Sequence, residues 1–310
     1  MLAYYAKRSP GEEFETIARP LQKDMWVDVS NATIDEITNA IETYRLDMNV
    51  VNDVRDANEL PRVEFSDGNV YIFLRVPRLS KTGRIVTLPL LCVVTPSIFV
   101  SISTGDTIPP EAVSLSTLPI STEQPQTILL GVMAGCVAKF EDLIQHTAET
   151  IRDTASRLRS HEVTNKDFIH FVTVEANLHS DKMNLESTLA AIHRLHEHHG
   201  DTLTDESLEA LDDIALHIGQ LLAAIDGHVN SVESIRNAYG TVANNTLNQR
   251  MKTLTVLTVL ITLPNVVFGM YGMNVVLPFG KEPWVYGGII GATTFLVLLV
   301  YIVAKRLKVF

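Results

Sequence analysis

The sequence predicts an α+β cytoplasmic domain, an antiparallel sheet with helices, that a very long stalk helix joins to a two-helix transmembrane hairpin. Three observations predict this fold: short β-rich runs between turn residues, then helical periodicity, then two long apolar stretches near the end of the chain. We therefore divide the 310 residues into a cytoplasmic α/β domain (1–125), a cytoplasmic helical region with the stalk (126–250) and a two-span transmembrane domain (251–310).

Strands are predicted where β-branched and aromatic residues cluster between turn sequences such as Asp67-Gly68-Asn69. Because the runs follow each other closely, they favour an antiparallel meander. A helix is predicted to begin after Thr33, since Glu36 three residues later completes a capping box. The predicted strands are Trp26–Val29, Val70–Val76, Ile85–Val94 and Ile98–Ile102.

Three long helices are predicted beyond Gln126, where apolar residues recur at three- and four-residue intervals. The first two run from Ile128 to about Arg159 and from Asp167 to about His198. The third begins near Asp205 and reaches Met270, about 65 residues or on the order of 95 Å. A compact domain cannot bury a helix of this length, so we expect a stalk that leads to the membrane. Dimerisation as a coiled coil is the alternative.

Two apolar stretches, Met251–Met270 and Trp284–Ala304, are each long enough to cross roughly 30 Å of hydrocarbon. The connection between them is short, so both ends of the hairpin lie on one side. Cationic residues flank those ends, at Arg250, Lys252, Lys305, Arg306 and Lys308. The positive-inside rule therefore places both termini in the cytoplasm and the connecting loop outside the cell membrane. The alternative is a pair of buried core helices in a soluble domain.

Charge and cysteine content exclude some classes of protein. The formal net charge is −11, although residues 251–310 contain five Lys or Arg and one Glu. The acidic surplus therefore lies in the first 250 residues, which excludes the basic face that a nucleic-acid partner needs. Cys92 and Cys136 lie in apolar surroundings without metal-ligand spacing, so we expect both to be reduced core residues.

The first apolar stretch carries a polar stripe whose members step by three and four residues, as one face of a helix requires. A helix with one narrow polar face inside a bilayer either packs that face against copies of itself or lines a wet path with it. Helix packing through threonines is the plainer reading. The polar stripe consists of Asn248, Met251, Thr255, Thr258, Thr262, Asn265 and Gly269.

At the outer end of this stretch lies Gly272-Met273-Asn274, followed by a short loop, a second span and a basic tail. This arrangement resembles the CorA family of divalent-cation channels. The segment Asn248–Thr255 also resembles the junction between stalk and pore in that family. The resemblance is strong over about residues 230–310 and rests on element order elsewhere.

The resemblance implies a homopentamer in which five copies of the first span line the pore and the second spans face lipid. Asn274 amides would form a ring that holds hydrated Mg²⁺ through its water shell, while Gly272 permits the turn and Met273 packs to hold it. Met251 and Leu254 would be hydrophobic constrictions that close the pore by dewetting. A zinc, cobalt or nickel transporter of the same superfamily, with or without proton coupling, is the main alternative. A membrane-anchored signalling scaffold is a more distant one.

Two further groups of residues suggest metal binding. His193 and His196, one turn apart on a helix, could share a transition-metal ion, although a solvated helix end carries similar clusters. Asp212 and Asp213 lie where family members place a regulatory carboxylate, so Mg²⁺ would act as regulator as well as transported ion. A solvated helix face is the alternative for this pair. The sequence has no nucleotide-binding or hydrolase motif, which argues against an enzyme.

Overall fold

The computed structural model describes residues 1–9, 11–81, 83–114, 118–159, 165–198, 203–273 and 284–306, without the side chains of residues 158, 159 and 165–170. It divides into two compact units, Met1–Ile235 and Arg236–Phe310. The predicted division at residues 125 and 250 stays a prediction.

A seven-stranded sheet forms the centre of the first unit. Its spatial order is β2-β1-β3-β7-β6-β5-β4. The strands are β1 (Leu2–Ala6), β2 (Glu15–Thr16), β3 (Met25–Val29), β4 (Arg62–Ser66), β5 (Asn69–Leu79), β6 (Ile85–Val94) and β7 (Ile98–Ser103).

Strands β4 to β7 form the predicted antiparallel meander, but the sheet as a whole is mixed. Strand β3 pairs with β7 in parallel, with Met25 opposite Ile98. The expectation of a purely antiparallel sheet is therefore wrong at this pair. The reason is the connection: the chain leaves β3 through helices, and the meander then brings β7 back beside β3 in the same direction.

Side chains of the sheet alternate between two apolar cores, as the period of two in a strand requires. On β5, Ile72 and Leu74 belong to the larger core, while Tyr71 and Phe73 belong to the smaller one. Helices α1 (Ile34–Tyr44) and α2 (Met48–Asn52), followed by a short 3₁₀ turn (Asp53–Arg55), pack on the smaller core. The capping box predicted at Thr33 and Glu36 is present.

The larger core lies between the opposite face of the sheet and a helical layer. It includes Cys92 and Cys136, which are buried free thiols as predicted. Burial raises the pKa of Cys136 to about 12, so this thiol is unreactive at neutral pH. The helices of this side are α3 (Pro110–Ser114), α4 (Pro125–Arg159), α5 (Asn165–Glu197) and the first part of α6 (Asp205–Tyr271).

Helix α6 is 67 residues long, which confirms the predicted long helix from Asp205. Its buried residues recur at helical spacing from Ser207 to Val232 and belong to the first unit. Helix α7 (Trp284–Arg306) lies in the second unit together with the rest of α6.

Candidate ion pathway

The polar stripe lies on a face of α6 that the described part of this chain leaves exposed. All seven of its members, from Asn248 to Gly269, are exposed to solvent. The sequence places these residues on one side of a helix, and the helix is present without interruption from Asp205 to Tyr271. The stripe is therefore an accessible polar row in an otherwise apolar segment.

The opposite side of the same segment is half-buried. Thr253 and Thr255 are two residues apart, so they point about 200° away from each other around the helix. Thr253 is half-buried, whereas Thr255 is exposed. The less exposed side of α6 therefore lies opposite the polar stripe. The half-buried residues are Thr253, Val256, Leu260, Leu263, Pro264 and Val267.

Threonine hydroxyls on both sides of α6 donate to backbone carbonyls one turn earlier. Thr253 donates to Gln249 over 3.0 Å, and Thr255 donates to Met251 over 2.9 Å. Thr258 donates to Leu254 over 2.8 Å. A hydroxyl oxygen whose hydrogen is used in this way keeps its lone pairs for a second partner. On the polar stripe, Thr255 and Thr258 therefore present acceptors to whatever lies beyond the helix.

Pro264 interrupts the hydrogen-bond ladder inside this segment. A proline has no N–H, so the carbonyl of Leu260 lacks its usual helical donor. This carbonyl belongs to the half-buried side of the helix.

Glycine is required where α6 ends for a steric reason. The Gly272 N–H donates to the Phe268 carbonyl over 2.9 Å. A Cβ at Gly272 would lie 3.2 Å from that same carbonyl oxygen, closer than most side chains approach. The following Met273 is 58% exposed in this chain. Asn274, the residue expected to select the ion, lies outside the described residues, so its role stays a prediction.

Among the helices of the described residues, two are long and apolar enough to cross a membrane. The most apolar 18-residue window of α6 has a mean hydropathy of 1.8 and that of α7 has 2.2. Within the chain these windows are 0% and 11% buried. A core helix of a soluble protein would be mostly buried, so exposure separates both helices from that alternative.

The two predicted metal-binding groups contact each other. His196 on α5 lies with its Nε2 3.7 Å from Asp212 Oδ1 on α6. His193 and Asp213 are exposed. Over the described ranges, no three His, Cys, Asp or Glu side chains are grouped closely enough to hold a metal ion. In the described residues, His196 therefore takes part in a contact between α5 and α6, and the two histidines are not part of a cluster that could hold a metal ion.

Sequence reasoning missed one acidic residue of the helical layer. Asp181 on α5 is fully buried, with neither carboxylate oxygen hydrogen-bonded. The signal was available as Asn177, Asp181, Asn184 and Thr188, which step by four, three and four residues. Polar spacing of this kind does not tell a buried face from an exposed one.

Comparison with solved structures finds the same fold in other proteins. The complete CorA magnesium transporter from Methanocaldococcus jannaschii matches with a TM-score of 0.81 at 15% identity, covering 99% of this chain and 98% of that one. The full-length CmaX protein matches with a TM-score of 0.72 at 12% identity, covering 97% of each chain.

A third match is the cytoplasmic domain of ZntB from Vibrio parahaemolyticus, with a TM-score of 0.63 at 14% identity. It covers 78% of this chain and 98% of that domain. At these identities the likenesses establish a shared fold. A search of curated proteins by sequence found no match.

The family itself is established by sequence. The family described as CorA-like Mg²⁺ transporter protein matches residues 22–306, which is nearly the whole chain. Its members are membrane-embedded oligomers that transport divalent cations and are not enzymes. Together with the long α6 and the apolar α7, this match identifies the chain as a member of the CorA-like Mg²⁺ transporter family.

Proposed function

We propose that this chain forms a homopentameric channel in the cell membrane that carries hydrated Mg²⁺ into the cytoplasm through a pathway lined by the polar stripe. A ring of Asn274 amides at the outer mouth selects the ion through its water shell. The membrane potential drives uptake with about 4.6 kcal/mol for two charges at 100 mV. The observation that carries the proposal is the exposure of the polar stripe opposite the half-buried side of α6.

A polar row in a bilayer has to be covered or hydrated, because lipid offers no hydrogen-bond partners. The half-buried side of α6 is the less accessible one, so the polar stripe is the face left open to other copies or to water. Five copies arranged around an axis would turn their stripes inward and leave apolar side chains to the periphery. This arrangement supports the channel over a chain that is merely anchored.

Hydroxyl chemistry in the stripe suits a hydrated cation. The waters around Mg²⁺ direct their hydrogens outward, and Mg²⁺ releases these waters reluctantly. Thr255 and Thr258 use their own hydrogens on backbone carbonyls, so their oxygens act as acceptors toward such waters. The described stripe carries no carboxylate, which supports passage of the ion with its water shell retained.

Orientation follows from the flanking charges. Arg250 and Lys252 lie on α6 before most of the apolar segment, and Lys305 and Arg306 end α7. The positive-inside rule therefore supports a cytoplasmic location for both termini and an outer location for the connecting loop.

Regulation is assigned to Asp213. Asp212 contacts His196, whereas Asp213 lies exposed on the neighbouring position of α6. In the proposal Asp213 takes part in a Mg²⁺ site between subunits that holds the pore shut when cytosolic Mg²⁺ is plentiful. Asp213→Lys should then weaken the inhibition of uptake by cytosolic Mg²⁺. If uptake depends on cytosolic Mg²⁺ as in the wild type, Asp213 has no part in regulation.

The test of the pathway is Mg²⁺ uptake by purified protein in liposomes, followed with a fluorescent indicator. Thr255→Val removes an acceptor from the polar stripe and should lower uptake roughly fivefold or more, because a single hydrogen bond is worth about 1 kcal/mol and every copy loses one. Thr253→Val is the matched control: it makes the same chemical change on the half-buried side and should leave uptake within about twofold. Equal losses in the two variants would contradict the pathway.

Selectivity is tested at the outer mouth. Asn274→Ala should remove the preference for Mg²⁺, and unchanged uptake would contradict the amide ring. Competition by Zn²⁺, Co²⁺ and Ni²⁺ under imposed pH gradients separates a magnesium channel from a proton-coupled transporter of the other metals. The mass of the detergent-solubilised oligomer gives a further outcome, since a dimer without ion flux would support a scaffold.

A further inference from the structure

Asp181 differs from the other buried carboxylate of the first unit. Asp28 on β3 accepts hydrogen bonds from Ser101 and from Thr107, the latter over 3.1 Å. Asp181 on α5 is 0% exposed, and neither of its oxygens has a hydrogen-bond partner among the residues that the structure describes. A buried carboxylate without a partner is unfavourable in its charged form, because no group replaces the water it has lost.

The neighbours of Asp181 along α5 do not supply a partner. Asn177, one turn before, uses its amide on the β5–β6 turn: its oxygen accepts from the Ile85 N–H and its nitrogen donates to the Gly83 carbonyl, both over 3.0 Å. Thr188 donates to the Asn184 carbonyl over 2.8 Å. We call this buried line the α5 polar row; its members are Asn177, Asp181, Asn184 and Thr188.

Three cations on α5 and on the strands packed against it are bound to groups other than Asp181. Lys182, the next residue of α5, binds Asp226 on α6 over 2.6 Å. On β4, Arg62 binds Asp53, Glu59 and Glu64. On β5, the guanidinium of Arg75 donates to the carbonyls of Ala57, Glu59 and Thr87.

Two histidines of α6 interact with charged side chains of α4. His217 on α6 lies 3.3 Å from Glu141 on α4. Burial, and then the charge of Arg152 on α4, lower the pKa of His228 on α6. Burial is the sole cause that raises the pKa of Asp181, so none of these groups acts on it.

We propose that Asp181 is a proton-binding site of the helical layer, protonated when α5 is packed and opposing that packing once the proton is lost. This inference concerns the first unit and does not depend on the proposed function. A neutral carboxyl can remain buried among apolar side chains, whereas a carboxylate draws water toward the core between α5 and its neighbours.

The sign of the pH effect follows from linkage. Burial raises the pKa of Asp181 from 3.8 to about 7 in the folded chain. A group with a raised folded pKa stabilises the fold fully below its unfolded pKa, and this stabilisation is lost as pH rises toward the folded pKa. Asp181 should therefore increase the unfolding constant roughly tenfold per pH unit between about pH 4 and 7, with no further increase above that range.

The experiment compares full-length wild type with Asp181→Asn in detergent from pH 5 to pH 8. Thermal unfolding is followed by fluorescence of the buried Trp26, and every protein carries Trp284→Phe so that one tryptophan reports on the first unit. The amide mimics the protonated acid. The variant should already be the more stable protein at pH 5, by roughly tenfold in the unfolding constant, and its advantage should grow about tenfold per pH unit up to about pH 7 and then stay constant. Asp142→Asn, the same change at an exposed position of α4, should keep the wild-type pH dependence.

Parallel pH dependences of wild type and Asp181→Asn would overturn the proposal. Recovery of wild-type stability at pH 8 on adding K⁺ or Mg²⁺, with choline as the control, would overturn it in favour of a bound metal cation. If Asp181→Asn does not fold, infrared spectroscopy of wild type and Asp181→Glu decides. The C=O band of a buried protonated carboxyl should be present near pH 5, move in frequency in Asp181→Glu and disappear by pH 8; its absence at pH 5 would overturn the proposal.

Discussion

Two polar rows with the same spacing lie on two helices of this protein, and their surroundings are opposite. The α5 polar row steps by four, three and four residues and is buried in the first unit. The polar stripe of α6 steps by the same intervals and is exposed in the described chain. The chain folds one row inside itself and leaves the other for partners that a single copy does not supply.

Because one row is buried and the other is exposed, their side chains bind different partners. Within the first unit, Asn177 and Thr188 bind backbone groups, and the bonds of Asn177 hold α5 against the β5–β6 turn. These bonds leave Asp181 without a partner from the same row. On α6, Thr255 and Thr258 satisfy their hydrogens within the helix and keep acceptors facing outward. A row of acceptors on an open face is available to ions and water. The buried row binds neighbouring backbone groups, and in our proposal its one carboxyl group binds a proton.

We expect the greatest loss of Mg²⁺ uptake from a charge placed in the exposed row. Thr258→Lys would place a ring of positive charges in the proposed pathway and should lower Mg²⁺ uptake roughly a hundredfold or more, because like charges raise the barrier to a divalent cation. Uptake into liposomes measures this effect. Thr253→Lys on the half-buried side is the position control. Normal uptake in Thr258→Lys would mean that the polar stripe does not line the path.

A second prediction compares two isoleucines of the same helix. Ile218 is 0% exposed in the first unit, whereas Ile261 is 57% exposed in the apolar segment of α6. Ile218→Ala should lower the free energy of unfolding of the first unit by about 2–5 kcal/mol, because it leaves a cavity in the core. Ile261→Ala should change the same free energy by less than about 1 kcal/mol. Trp26 fluorescence in the Trp284→Phe background measures both, and equal losses would show that the two units unfold together.

The smallest effect is expected beside Asp181. Lys182 and Asp226 form an ion pair over 2.6 Å, in which the Asp226 side chain is 57% exposed and that of Lys182 is 33% exposed. Exposed pairs of this kind contribute little, since water and salt screen them. Lys182→Ala should leave the melting temperature and its pH dependence within the scatter of replicate measurements. A pH dependence that vanishes in Lys182→Ala would assign the titration to the ion pair and not to Asp181.

Much of the fold could be predicted from the sequence because the signals are local. The capping box at Thr33 and the periodicity from Asp205 depend on residues a few positions apart, and both elements form as expected. The parallel pair of β3 and β7 could not be predicted in the same way. It joins residues about seventy positions apart, such as Met25 and Ile98, and it depends on the path of the intervening chain.

The same distinction between local signals and long-range contacts applies to the candidate ion pathway and to the predicted metal-binding groups. Spacing alone placed Thr255, Thr258 and Thr262 on one side of α6, and the family match agrees with the two predicted spans. The contact of His196 with Asp212 lay beyond the sequence, because it depends on how α5 packs against α6.

By itself, the sequence determined which residues share a helix face, since the geometry of an α-helix fixes that relation once the helix forms. It also determined membrane character, because length and apolarity are additive along the chain. Only the tertiary structure decided which polar face is covered. Burial depends on neighbours distant in sequence, and these enclose Asp181 while the threonines of α6 remain exposed.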